Sequence, residues 1–314
     1  EELGLLKMDF LGLRTLTVIR DAEAAVQKKD PSFSIQKLDY DDAATYKMLG
    51  QGETEGVFQL ESSGMKQVLV GLQPQNLEDV IALISLYRPG PMDSIPTYLR
   101  NRHEPDKISY KTPQLAHILD VTNGCIVYQE QVMQIFRELA GFSFGQADNV
   151  RRAMSKKKHA VMEAEREHFV HGCTEPGHEC PGCVANGISE EVANEIYDEM
   201  SSFASYAFNK SHAACYAYVA FQTAYLKCHY PSEFMAALLT SVLDNTDKVI
   251  EYSGECARLG IKVLPPDVNI SNGGFTADNG KIRFGLNAVK NVGRNLIERV
   301  VEERKEKPYS SLYD

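Results

Sequence analysis

From Ala213 to Tyr230 the chain reads AACYAYVAFQTAYLKCHY, eighteen residues with one formal charge, Lys227, and a composition dominated by Ala and Tyr. A segment this apolar has no wet face to offer, so it predicts a central buried helix on which other elements must pack. Immediately before it, FASYAFNKSHAACY (Phe203 to Tyr216) crowds Tyr206, Asn209, Lys210, His212 and Tyr216 between two strongly apolar segments. Polar groups placed there are costly unless they find partners. The stretch therefore either meets a ligand or caps the buried helix, with Asn209 and Ser211 as turn and N-cap residues.

With 314 residues and 43% hydrophobic content, the chain can build one large core or two to three domains. No uninterrupted apolar run approaches the roughly 18 residues of a membrane span, since Gln222, Thr223, Lys227 and His229 break up the most apolar helical segment, and no charged-then-apolar leader opens the sequence, so neither a membrane protein nor a secreted one is expected. The start, EELGLL, has no initiator Met and suggests a fragment. Seven cysteines, of which Cys125, Cys215, Cys228 and Cys256 show no spacing logic, fit a reducing cytoplasm. A net charge of −10 argues against non-specific coating of nucleic acid but leaves room for a local basic site.

Along the chain, Leu5 to Phe10 alternates as a short strand with Lys7 and Asp9 on one face, which by itself reads as an exposed face with a weak ion pair. Residues 13–29 form an amphipathic helix closed by Pro31, and Asp39 to Asp42 precede a helix over 43–49 as caps and dipole partners. A helix around Met65 to Leu69 follows, then one over Leu77 to Leu86 that ends in YRPGP. The two prolines hold Arg88 at a helix C-terminus, where it suits a phosphate or carboxylate contact or the helix dipole. Residues 97–124 read as irregular, Ile126 to Tyr128 as a strand and Gln129 to Leu139 as a helix.

Two clusters stand out next. Asp148 to Lys158 holds five basic residues (Arg151, Arg152, Lys156, Lys157 and Lys158) against one acid, inside an acidic chain. Arg152 and Lys156 share a helix face at i and i+4, a repulsive pairing until an anion joins it, so a polyphosphate partner competes with a solvated surface. Then His171, Cys173, His178, Cys180 and Cys183 fall within thirteen positions, with Cys180 and Cys183 in a C-x2-C turn. An unligated surface loop is the plainer reading; a zinc site on Cys173, His178, Cys180 and Cys183 comes next and a disulfide after it.

Toward the end, Ser189 caps a helix to Met200, Pro231 opens one running to Leu243, and Asp247 to Leu259 forms another closed by Gly260. Val263-Leu264 is strand-like. Phe275 to Phe284 is a hairpin turning at Asp278-Asn279-Gly280, and Leu286 to Lys290 and Arg294 to Arg304 are helices around a tight turn.

Seven motifs in order carry a resemblance: KMDFLGLRTLT (Lys7 to Thr17), GVFQLESSGM (Gly56 to Met65), LYRPGPMD (Leu86 to Asp93), YQEQVM (Tyr128 to Met133), NVRRAMSKK (Asn149 to Lys157), YAFNKSHAACY (Tyr206 to Tyr216) and IRFGLNAVKNVG (Ile282 to Gly293). Together they resemble the C family of bacterial replicative DNA polymerases, the DNA polymerase III alpha subunits. The resemblance implies a mainly α fold: a helical fingers domain with a few short strands, a palm-derived strand at the N-terminus, and a small β-hairpin plus helix-hairpin-helix at the C-terminus. It divides the chain into a palm edge (1–20), fingers (21–260, with the Cys/His loop 171–187 as an insertion) and a linker hairpin with a partial helix-hairpin-helix (261–314).

The same resemblance assigns roles. Asp9 corresponds to the third catalytic aspartate, a ligand of the two Mg²⁺ ions, and Lys7 sits near the triphosphate. Arg151 and Arg152 contact the phosphates of the incoming deoxynucleoside triphosphate, and Tyr206 and His212 close its pocket; Arg88 and Lys210 join as phosphate contacts on their chemistry alone. The implied partners are template-primer DNA, the nucleotide, the subunit's other domains, and the sliding clamp and clamp loader through regions outside this chain, in the bacterial cytoplasm. The upstream Asp-x-Asp pair of the palm is absent from this sequence, so the chain alone is expected to be inactive. Ala207 and Asn291 stand where the family favours Gly. The rival reading is a non-catalytic, zinc-stapled DNA-binding or scaffold module.

Overall fold

A computed structural model describes the chain except residues 1–3, 5–6, 9, 156–158, 205–207, 312 and 314. Among the described residues fifteen α-helices form. The first five are α1 (Arg14–Gln27), α2 (Ala43–Gly50), α3 (Ser63–Leu72), α4 (Leu77–Leu86) and α5 (Ile95–His103). There follow the one-turn α6 (Ala116–Leu119), α7 (Gln129–Ala140), α8 (Phe144–Ser155), α9 (His159–His171) and the one-turn α10 (Gly182–Ala185). The last are α11 (Glu190–Ala204), α12 (Lys210–His229), α13 (Pro231–Ser241), α14 (Thr246–Arg258) and α15 (Arg294–Glu303). The mainly α expectation holds.

The chain separates into two compact units, each discontinuous in sequence. One comprises Glu1–Leu49, Glu53–Ser62 and Val219–Asp314; the other comprises Gly50–Gly52 and Ser63–Tyr218.

In the first unit, Val18, Ile19 and Ala22 of α1 share a core with Phe234, Met235, Leu238 and Leu239 of α13, Cys256 of α14, and Phe275 and Ile282. The i, i+3, i+4 recurrence on each helix supplies the buried stripe. Gly56 sits at φ 77°, a strained conformation for other residues, and a Cβ there would meet Leu238 Cδ2 at 2.3 Å, so a larger residue would have to displace that side chain of α13. The sheet has the order β1 (Val263–Leu264), β3 (Lys281–Arg283), β2 (Thr276–Asp278), with β1 parallel and β2 antiparallel to β3. Asn279 and Gly280 take φ of 49° and 75°, the two left-handed positions of a tight hairpin turn.

The second unit is built around α7. Val132, Ile135, Phe136 and Leu139 are fully buried with Val150, Phe169, Ile196, Tyr197 and Met200. Phe136 makes edge contacts with Phe169 (centroids 5.0 Å apart) and Tyr197 (5.9 Å). Buried Gln131 is fully used: its Oε1 accepts from the Val127 and Tyr128 N–H groups, both at 2.9 Å, and its amide donates to Ile118 O and Thr122 Oγ1.

Four expectations need correction. The segment 97–124, expected to be irregular, begins inside α5, because Pro96 suits a helix start, Tyr98 is buried, and Arg102 ties that helix to buried Asp79. Of the expected N-terminal strand, Leu5, Leu6 and Asp9 lie outside the described residues, and Lys7, Met8 and Phe10 run as irregular chain. Among the described residues, Ile126 to Tyr128 contributes one bridge, Tyr128 to Phe208, in place of a strand. Leu286–Ala288 is a single 3₁₀ turn, because the Leu286 and Asn287 N–H groups bond to the carbonyls of Asn272 and Gly273.

Candidate functional site

The N-terminus of α7 and the residues before α12 meet in the second unit. Gln129 N–H donates to Phe208 O at 3.0 Å, continuing the Tyr128–Phe208 bridge. Asn209 then caps α12, its Oδ1 accepting from His212 N–H at 2.9 Å while its Nδ2 donates to Glu130 Oε1 at 3.0 Å. The capping half of the sequence reading is therefore realised, with Asn209 rather than Ser211 as the cap.

Beside this junction lies a cleft of about 500 Å³ lined by residues that include Gln129, Glu130, Arg137, Asp148, Arg151 and Asn209. Arg151 is held there from two sides. Its Nε and Nη2 donate to Asp148 Oδ1 at 3.0 and 2.7 Å, and its Nη1 donates to Gln129 Oε1 at 3.0 Å. Arg152 is more exposed and pairs with the other Asp148 oxygen at 2.8 Å. Hydrogen bonds from Arg151, together with the charges of both arginines, hold the Asp148 carboxyl below the usual range. One carboxylate thus orders two guanidiniums, a planar and charged arrangement suited to phosphate oxygens.

The other candidate cations are also engaged. Arg88 stacks over Phe208 with its guanidinium carbon 3.8 Å from the ring centroid. Lys210 pairs with Glu78 at 3.0 Å and lies 5.2 Å from the Tyr128 ring centroid. The exposed His212 ring packs against Phe208 (5.2 Å) and Tyr216 (4.3 Å). Lys7 is exposed and belongs to the first unit. Asp9 and Tyr206 lie outside the described residues.

The residues of the expected zinc set lie as follows. Cys173 and Cys180 face each other across a two-hydrogen-bond bridge, both bonds 2.9 Å, while Cys180 and Cys183 are buried in the apolar core of the unit. Burial pushes the Cys183 thiol up to about 12 in the metal-free chain. Among the described residues, no group of three or more His, Cys, Asp or Glu is placed to hold a metal ion.

Sequence reasoning missed Gln129, Glu130, Arg137 and Asp148 as cleft residues. The YQEQVM motif contained the first two, and only the fold shows that they face Arg151 and Asn209.

Residues 15–177 match the family described as the bacterial DNA polymerase III alpha subunit finger domain, and residues 260–314 match a helix-hairpin-helix motif. The chain belongs to the bacterial DNA polymerase III alpha subunit family. Across its whole length it is 50% identical to DNA polymerase III subunit alpha of Thermus aquaticus, and 46% identical to those of Bacillus subtilis and Chlamydia pneumoniae. It spans about a quarter of the length of these relatives: 26%, 27% and 25% respectively. In this alpha-subunit family member, Arg151 and the other named cleft residues fall inside the part matched as finger domain, except Asn209, which lies beyond it. No helix among the described residues is long and apolar enough to cross a membrane.

Proposed function

We propose that this chain supplies the fingers of a replicative DNA polymerase subunit and binds the incoming deoxynucleoside triphosphate and template-primer DNA during nucleotidyl transfer. The observation that carries this reading is Arg151, held half-buried by Asp148 and Gln129 at the wall of a cleft, with Arg152 on the same carboxylate. A guanidinium ordered before the ligand arrives loses little entropy on binding a triphosphate, and its fork matches phosphate oxygens. Lys7, Tyr206, His212, Arg88 and Lys210 are proposed as further nucleotide contacts. The proposed division is palm edge 1–20, fingers 21–260 and helix-hairpin-helix region 261–314.

Magnesium is the proposed cofactor, with Asp9 as this chain's ligand and the remaining carboxylates outside it. Bound metal would activate the primer hydroxyl and stabilise the leaving pyrophosphate. The chain's own residues would orient the triphosphate and balance its charge. Interactions with the sliding clamp and clamp loader would run through other parts of the subunit, in the cytoplasm.

The test is the Arg151→Ala, Arg152→Ala double variant in the intact subunit. The KM for nucleotide should rise at least tenfold while affinity for primer-template changes less than threefold. Equal loss of both would replace the nucleotide role with a DNA-backbone contact.

A further inference from the structure

We infer that Glu130 is a positioning residue for the nucleotide cleft, acting through the N-terminus of α12; the inference rests on the nucleotide reading of that cleft. The Glu130 carboxylate accepts from three donor contacts: Asn209 Nδ2 at 3.0 Å to Oε1, and Lys210 N–H at 3.2 Å to Oε1 and 3.1 Å to Oε2. Lys210 N–H is the first of the helix-terminal donors that have no partner within α12. A carboxylate at that end also meets the positive pole of the helix dipole.

The hydrogen bonds orient as well as attach. Asn209 offers its amide NH₂ to Glu130 and its Oδ1 to His212 N–H, so both ends of the side chain are committed. On the preceding residue, Gln129 Oε1 receives Arg151 Nη1 and Gln129 N–H holds Phe208 O. Two consecutive residues at the start of α7 therefore grip the phosphate-binding arginine and the segment Phe208 to Lys210. Gln129 uses its amide and backbone, and Glu130 uses its carboxylate. Removing that carboxylate frees the start of α12 while leaving the arginine and its Asp148 partner in place.

Glu130→Ala, Glu130→Gln and Arg151→Ala would be compared in the intact polymerase subunit by steady-state single-nucleotide incorporation, primer-template binding and thermal melting. For Glu130→Ala the KM for nucleotide should rise about tenfold, equivalent to about 1.4 kcal/mol. Its kcat should stay within threefold, and its DNA affinity and melting temperature should be close to wild type. Glu130→Gln should recover most of the loss, because an amide oxygen still accepts from Lys210 N–H. A KM for Glu130→Ala within twofold of wild type overturns the proposal, as does a Gln variant no better than Ala, or a parallel fall in kcat, DNA affinity and melting temperature. If Arg151→Ala raises the KM and Glu130→Ala does not, the positioning role alone fails. If neither moves it, the nucleotide reading of the cleft fails with it.

Discussion

Lys227 and Glu255 form an ion pair 2.6 Å long, with side chains 0% and 3% exposed. Lys227 Nζ also donates to Glu55 O at 2.8 Å, and Glu255 holds Arg258 through two bonds of 2.7 and 2.8 Å. The single charge in the apolar helical segment is thus neutralised where it is buried. Glu255→Ala leaves the ammonium with one carbonyl, and should cost about 3–5 kcal/mol of unfolding free energy. Lys227→Met should cost less, since Arg258 still satisfies Glu255. Urea denaturation of the three proteins reads both values, and a loss below about 1 kcal/mol for Glu255→Ala would mean that water reaches the pair.

Arg88 over Phe208 is a weaker contact with a definite signature. A double-mutant cycle using Arg88→Ala and Phe208→Leu should give a coupling of about 0.5–1 kcal/mol in denaturant unfolding, the size of an exposed cation–π pair. Coupling near zero would mean that the guanidinium does not stack on the ring in solution.

Acid should destabilise the protein. Burial alone would raise the carboxyls of Glu255 and Glu233, but hydrogen bonds from Arg258 and Lys227 on one, and from Lys29 and Ser232 on the other, outweigh it and hold both below their ordinary 4.5. At Asp42 the bonds to Thr45 and His229 likewise outweigh burial. A carboxyl depressed in the folded state binds protons first in the unfolded chain, so its contribution is complete above the unfolded pKa and fades as pH falls through the folded one. Melting temperature should be level near neutrality and fall below about pH 4.5. A rise on acidification toward pH 3 would contradict these pairings.

Chelation should leave the Cys/His loop unaffected. Treatment with a strong zinc chelator is expected to shift the melting temperature by less than about 1 °C, and metal analysis should find no stoichiometric zinc. One equivalent of zinc, or a drop of several degrees, would show that Cys173, His178, Cys180 and Cys183 converge after all, since structural zinc contributes folding free energy directly.

Much of the helix map is visible in the residues themselves. The α4 helix begins after the Asn76 cap and ends at Leu86 before the Pro89–Pro91 turn, and α7 carries a stripe at Val132, Ile135, Phe136 and Leu139. Asn279-Gly280 marks its hairpin because both positions need positive φ. These signals act over a few neighbouring residues. The 97–124 segment departs from the sequence expectation for the opposite reason: α5 is secured by Asp79, 23 positions back in the chain, through Arg102.

Sequence alone determined that Ala213 to His229 is helical, the basic cluster at Arg151 and the family, because helix-forming composition, local charge and ordered motifs are properties of adjacent residues; it did not determine that Cys215 and Tyr218 of that helix stay exposed. Tertiary structure decided the rest. It made Asp148 and Gln129 the holders of Arg151, attached Glu130 to the start of α12, turned the C-x2-C cysteines into core, and assembled each compact unit from separate stretches of chain. The reason is physical: a hydrogen bond or a buried contact depends on distance in space, and residues such as Glu130 and Lys210, 80 positions apart, acquire that proximity only when the chain folds.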